Sequence, residues 1–151
     1  QLCHPRKPES LEALEGKMDL VFIDAPCTGT GTWRRKPDTK WRLKESALEK
    51  RNAEQAEILD KASEYVKPGG KLLYATCSFL AEEDEDQVTA FLERNTAFKQ
   101  LDAAAEVIAS GQLTEAGAAM VRANQIPGGA VRLTPKKSGT DGFFFAVMVR
   151  S

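Results

Sequence analysis

Two short apolar runs of strand-forming residues, each followed within a few positions by a cysteine, constrain this chain more than any other feature. The first, Leu20-Val21-Phe22-Ile23, leads into Asp24-Ala25-Pro26-Cys27-Thr28-Gly29-Thr30-Gly31, and the second, Leu72-Leu73-Tyr74-Ala75, leads into Thr76-Cys77-Ser78. Short apolar runs rich in β-branched and aromatic residues, bounded by proline and glycine, read as buried strands, here over Met18 to Asp24 and Lys71 to Cys77. Between them, Ser46 to Val66 has helical periodicity, with Leu48, Gln55, Ile58, Leu59, Ala62, Tyr65 and Val66 along one stripe. Pro68-Gly69-Gly70 is expected to stop that helix, because proline cannot continue it and glycine accepts a left-handed exit. Strand, helix, strand in this order implies a parallel pair. The carboxyl ends of parallel strands in an open α/β sheet face one crevice, where ligands bind. Both thiols are therefore expected to aim into one site, and a pair of thiols beside Asp24 suggests covalent chemistry on an electrophilic carbon.

The remaining elements are weaker. Pro8 to Gly16 reads as a short helix, and Thr28 to Lys40 as a loop. Glu82 to Asn95 reads as a helix whose acidic first turn complements its dipole, with Val88, Phe91 and Leu92 facing inward. A short extended piece near Phe98 is followed by two helices, Ala103 to Ala109 and Thr114 to Ala123. Gly128-Gly129 breaks the pattern before a short strand, Val131 to Thr134, and a strong one, Phe143 to Val149, entered through Asp141-Gly142. Asp141 reads as a turn former. No repeat and no domain boundary is visible, so the 151 residues read as one α/β domain able to bury a real core.

Composition excludes several classes. With 42% hydrophobic and 28% charged residues the chain has ordinary globular usage, and no apolar run approaches the roughly 20 residues that span a bilayer. Three cysteines without a CxxC spacing and a lone histidine, His4, argue against a zinc site, a disulfide framework and a dithiol redox motif. Free thiols fit a reducing cytoplasm. The net charge is −1, yet charge is unevenly placed: Arg34, Arg35, Lys36, Lys40, Arg42 and Lys44 face only Asp38 in a segment that carries Trp33 and Trp41. Cations interleaved with aromatics can hold phosphates and stack bases. A solvated loop entering a helix is the plainer alternative, and the residues alone leave both open.

Three stretches, DAPCTGTGTWRRKPDTKWR (Asp24 to Arg42), KPGGKLLYATCSFLAEEDE (Lys67 to Glu85) and LTPKKSGTDGFFFAV (Leu133 to Val147), cover about a third of the chain. In this order they resemble the RNA cytosine-5 methyltransferases of the Nop–Sun family, the Sun/Fmu-like type. The resemblance implies a partial Rossmann-like, S-adenosylmethionine-dependent methyltransferase fold, with a mixed sheet that has a parallel pair and an antiparallel last strand. It implies methylation of carbon 5 of cytosine in RNA, ribosomal or transfer. By that resemblance Cys77 of the TC motif is the nucleophile, Cys27 of the PC motif assists product release, Asp24 contacts the cofactor, and Pro26, Arg34, Arg35 and Lys40 contact RNA. No metal is implied. DNA cytosine-5 methyltransferases use the PC cysteine as nucleophile, so the roles depend on the family; the complete second motif favours Cys77.

Carbon 5 of cytosine is a poor nucleophile, which is why the chemistry needs a thiol. Addition of a thiolate at carbon 6 makes carbon 5 able to attack a sulfonium methyl group, after which a base removes the proton on carbon 5 and the thiol is expelled. A buried structural thiol is the plainer reading of either cysteine taken alone. No glycine-rich loop precedes Met18, and TGTGT at Thr28 to Thr32 lacks the lysine and hydroxyl of a phosphate loop. The chain is therefore expected to be the carboxyl-terminal portion of a catalytic domain, inactive alone, with little affinity for S-adenosylmethionine. A non-catalytic RNA-binding or interaction fragment of such an enzyme is the alternative. The strand Met18 to Asp24 is expected to form an exposed apolar edge, open to self-association or to cover by residues nearer the amino terminus.

Overall fold

A computed structural model describes residues 9–151, so Cys3, His4 and the start of the helix expected from Pro8 lie outside the described residues. In chain order the elements are α1 (Glu9–Glu12), β1 (Met18–Asp24), α2 (Thr39–Arg42), α3 (Glu45–Ser63), β2 (Val66–Thr76), α4 (Glu85–Arg94), β3 (Phe98–Gln100), α5 (Ala103–Ala109), α6 (Glu115–Ala123), β4 (Val131–Leu133), α7 (Pro135–Ser138) and β5 (Phe143–Arg150). Short 3-10 turns occupy Thr30–Thr32 and Ala81–Glu83. The sheet runs β1-β2-β5-β3, with β4 also on β5. β1 and β2 are parallel, with Ile23 opposite Tyr74 and Asp24 opposite Ala75. β5 is antiparallel to β2, β3 and β4. This is the expected mixed sheet with a parallel pair and an antiparallel last strand.

Alternation along β2 and β5 builds two cores, because successive side chains of a strand point to opposite faces. Leu72, Tyr74, Phe144, Ala146 and Met148 pack with Leu59 of α3 and with Val88 and Phe91 of α4. Ala75, Phe145 and Val147 pack on the other face with Ala103 and Ala104 of α5 and Val121 of α6. The uninterrupted apolar runs in β2 and β5 thus follow from a sheet covered on both sides. β1 lies at the end of the strand order, and its Leu20 and Phe22 are 56% and 60% exposed.

Three sequence expectations need correction. Helix α3 ends at Ser63, before Tyr65 and Val66, and Pro68-Gly69-Gly70 lies inside β2 instead of terminating the helix. The register explains this: Met18 pairs with Val66 and Leu20 with Lys71, so the Lys67–Gly70 segment bulges out of the ladder, where a proline without an N–H does no harm. Gly70 is required there, since a Cβ would stand 2.7 Å from the Met18 carbonyl oxygen. The acidic run is the second correction. A break at Asp84 separates the 3-10 turn from α4, so the helix begins three residues later than expected, with Glu85 and Asp86 in its first turn and Glu83 and Asp84 fully buried. The expected loop Thr28 to Lys40 likewise contains a 3-10 turn and runs into α2.

Candidate active site

The paired strands end side by side, and their following loops bring Cys27 Sγ to 3.2 Å from Cys77 Sγ. Both thiols are half-buried. The two-cysteine expectation from strand order is therefore realised in space. At this separation one sulfur donates to the other, and the pair splits. The Cys27 hydrogen bond holds Cys77 down at about 7, outweighing the effect of burial, whereas Cys27, as the donor and through desolvation, is pushed well above the ordinary thiol value. The hydrogen bond thus favours the thiolate on Cys77 over Cys27, and the thiolate is the nucleophilic form.

Buried polar groups fix the two loops. Glu83 accepts hydrogen bonds from the Thr28 backbone N–H (2.7 Å), the Thr28 hydroxyl (2.6 Å) and Gln55 Nε2 (3.2 Å). The same Gln55 nitrogen donates to the Pro26 carbonyl at 2.9 Å. One buried carboxylate and one buried amide therefore grip the residues on both sides of Cys27. The Cys77 side is held by Thr30, whose hydroxyl meets Ser78 Oγ at 2.9 Å and accepts from the Phe79 N–H at 3.1 Å. Gly31 donates its N–H to the Cys77 carbonyl at 3.0 Å, and Gly142 donates to the Gly31 carbonyl at 2.8 Å. A Cβ on Gly31 would lie 2.2 Å from the Gly142 carbonyl oxygen, so this three-way backbone contact admits only glycine at that position. It joins all three stretches singled out in the sequence.

Asp84 lies one residue further on. Its carboxylate accepts from the Thr76 hydroxyl at 2.6 Å and from Arg132 Nε at 3.3 Å. Burial nevertheless outweighs these partners and raises Asp84 to about 7. Tyr74, buried beneath, donates its hydroxyl to the Glu83 carbonyl at 2.7 Å.

Asp24, at the carboxyl end of β1, is exposed and accepts no hydrogen bond among the described residues. Pro26 turns its carbonyl inward to Gln55. Arg34 and Arg35 both pair with Asp141, which gives that residue a partner beyond its place in the turn. Lys40 sits with its ammonium 5.6 Å from the ring centroids of both Trp33 and Trp41, and Trp41 is 83% exposed. The basic segment is thus a folded cation–aromatic surface beside the thiols.

Sequence reasoning missed Glu83, Asp84 and the Gly31–Gly142 contact. A signal existed for one partner: Gln55 stood on an otherwise apolar stripe, and a polar residue on a buried face requires a buried partner.

The sequence profile of the 16S rRNA methyltransferase RsmB/F family matches residues 5–149. Ribosomal RNA small subunit methyltransferase B of Erwinia tasmaniensis is 37% identical over 134 residues, 89% of this chain and 27% of that protein. The crystal structure of PH0851 superimposes with a TM-score of 0.73 at 34% identity, over 90% of this chain and 27% of the other. NSun6 from Pyrococcus horikoshii, solved with SFG, gives a TM-score of 0.64 at 22% identity, over 85% of this chain and 29% of that one, a likeness of fold. The chain therefore spans little more than a quarter of the length of these proteins. It belongs to the 16S rRNA methyltransferase RsmB/F family, whose cofactor is S-adenosylmethionine.

Proposed function

We propose that this chain is the cysteine-bearing, carboxyl-terminal portion of a catalytic domain that methylates carbon 5 of cytosine in RNA, ribosomal RNA by preference, through a covalent cysteine adduct. The observation that carries this reading is the 3.2 Å sulfur pair. A single activated thiol would suit many reactions. Two thiols in contact suit a reaction in which one sulfur must first add and later leave.

Cys77 is the nucleophile. Its thiolate forms a bond to carbon 6 of the cytosine, and the carbon 5–carbon 6 π electrons move into the ring, making carbon 5 nucleophilic. S-adenosylmethionine, when bound, supplies the electrophilic methyl group, and Asp24 is the residue of this chain that would hold its donor-bearing edge. After transfer, the proton on carbon 5 passes to a base, the carbon 5–carbon 6 double bond re-forms, and the bond from carbon 6 to the Cys77 sulfur breaks. Cys27 aids that last step. Its S–H, already a donor to Cys77, stabilises the departing thiolate, and a sulfur of lower pKa leaves faster. Glu83 and Gln55 hold Cys27 at its distance, while Pro26, Arg34, Arg35 and Lys40 border the path of the RNA.

The test uses the full-length protein that contains this chain, with RNA and S-adenosylmethionine. Cys77→Ala abolishes methyl transfer and the adduct that survives denaturing electrophoresis, whereas Cys27→Ala lets that adduct accumulate. An adduct with Cys77→Ala and none with Cys27→Ala would reverse the roles. No adduct with any variant, alongside retained RNA binding, would leave a non-catalytic interaction module.

A further inference from the structure

A groove of about 580 Å³ opens beside the Cys77 loop, lined by Phe79, Ile126, Arg132, Pro135, Lys136 and Lys137. We propose that it receives an RNA nucleotide adjacent to the target cytosine, its base on Phe79 and its phosphates on Lys136 and Lys137. The proposal rests on the RNA-methyltransferase reading above and adds a subsite to it.

Three observations support one occupant. The first is position. Phe79 lies two residues beyond Cys77, and its N–H is tied to the Thr30 hydroxyl, which anchors its backbone near the nucleophile. Trp33 holds that ring edge-on, with centroids 5.4 Å apart. The second is shape: Phe79, Ile126 and Pro135 give an aromatic and apolar lining suited to a flat ring, in a space within the range of small-ligand sites. The third is charge. Three cations and no acid line the groove. Arg132 is committed to Asp84 and Glu85, whereas Lys136 and Lys137 are exposed and make no ion pair among the described residues. An aromatic floor with two unpaired ammonium groups at its rim matches a base and its phosphates, the combination used by single-strand-binding grooves. An acidic peptide would satisfy the lysines and leave the aromatic lining without a purpose.

The experiment measures binding of short fluorescein-labelled single-stranded RNAs carrying one cytosine to the full-length protein in a Cys77→Ala background, so that affinity is independent of chemistry. Removing two phosphate contacts with Lys136→Ala/Lys137→Ala should flatten the log–log salt dependence by about 1.4, so the affinity gap to the parent narrows about sevenfold between about 50 and 200 mM salt. Phe79→Leu keeps apolar packing against Trp33 and removes the stacking ring. It should weaken binding about fivefold or more, and the loss should vanish on one of two RNAs that carry an abasic residue on the 5′ or the 3′ side of the cytosine. An unchanged salt slope in the double lysine variant, or an equal Phe79→Leu loss on both abasic RNAs and the intact one, overturns the subsite. Because the adduct assay is separate, normal adduct formation with inert groove variants removes the subsite alone. Groove effects without an adduct remove the chemistry and keep the subsite.

Discussion

Ionisation of Cys77 depends on its contact with Cys27. With its pKa held at about 7 instead of the ordinary 9.0, about half of Cys77 is thiolate at pH 7, against about 1% for an unassisted thiol. The principal cause is the hydrogen bond from Cys27, and burial acts in the opposite direction. Cys27→Ala removes the donor and leaves the desolvation, so the Cys77 midpoint should rise by about two pH units or more. The thiolate fraction at pH 7 should then fall about fiftyfold, partly offset in rate because a more basic thiolate is intrinsically more nucleophilic. Cys27→Ser, which keeps an O–H donor, should fall between parent and alanine variant. The assay is the rate of iodoacetamide labelling between about pH 5.5 and 10, read by mass spectrometry of the peptide containing Cys77, which keeps it apart from Cys3 and Cys27. A Cys77 midpoint that is the same in all three proteins would refute the assignment of Cys27 as donor. A midpoint that moves down in Cys27→Ala would mean that the two sulfurs act as like charges.

Glu83→Ala should strip three buried donor contacts from the Thr28 and Gln55 groups and cost about 2–4 kcal/mol in urea denaturation, with Glu83→Gln recovering part of the loss. Asp84 has a folded pKa of about 7, above its unfolded value near 3.8, so the folded state holds the extra proton between them. That contribution is complete below about pH 4 and is lost as the pH rises through 7, at up to about 1.4 kcal/mol per unit, and Asp84→Asn should flatten this slope in denaturation at pH 4.5 to 7.5. The exposed edge of β1 is expected to support self-association of this chain; Phe22→Lys should lower the sedimentation-average mass if it does, and an unchanged monomer in both proteins would discard the idea.

Both cysteine loops were legible in the sequence because their signals are local. A run such as Leu72-Leu73-Tyr74-Ala75 is apolar on both faces of a strand, and the helix between the two runs leaves a parallel pairing as the short solution. That Cys27 and Cys77 share one end of the sheet follows from that pairing. The last strand was visible for the same reason, since Phe143 to Val149 supplies side chains to both cores.

What the sequence left undecided depends on partners far apart in the chain. Five consecutive acids from Glu82 to Asp86 look alike in one dimension. Only the packed structure turns Glu83 toward Thr28 and Gln55, and Asp84 toward Thr76 and Arg132, while leaving Glu82 and Asp86 in water. A carboxylate tolerates burial where enough donors converge, and those donors come from α3, the Cys27 loop, β2 and β4. In the same way Asp141 gains Arg34 and Arg35, and Gly31 meets Gly142, across more than half the chain. Sequence determined which strands form and which residues carry sulfur. The 3.2 Å between the sulfurs was decided by tertiary packing that no local pattern encodes.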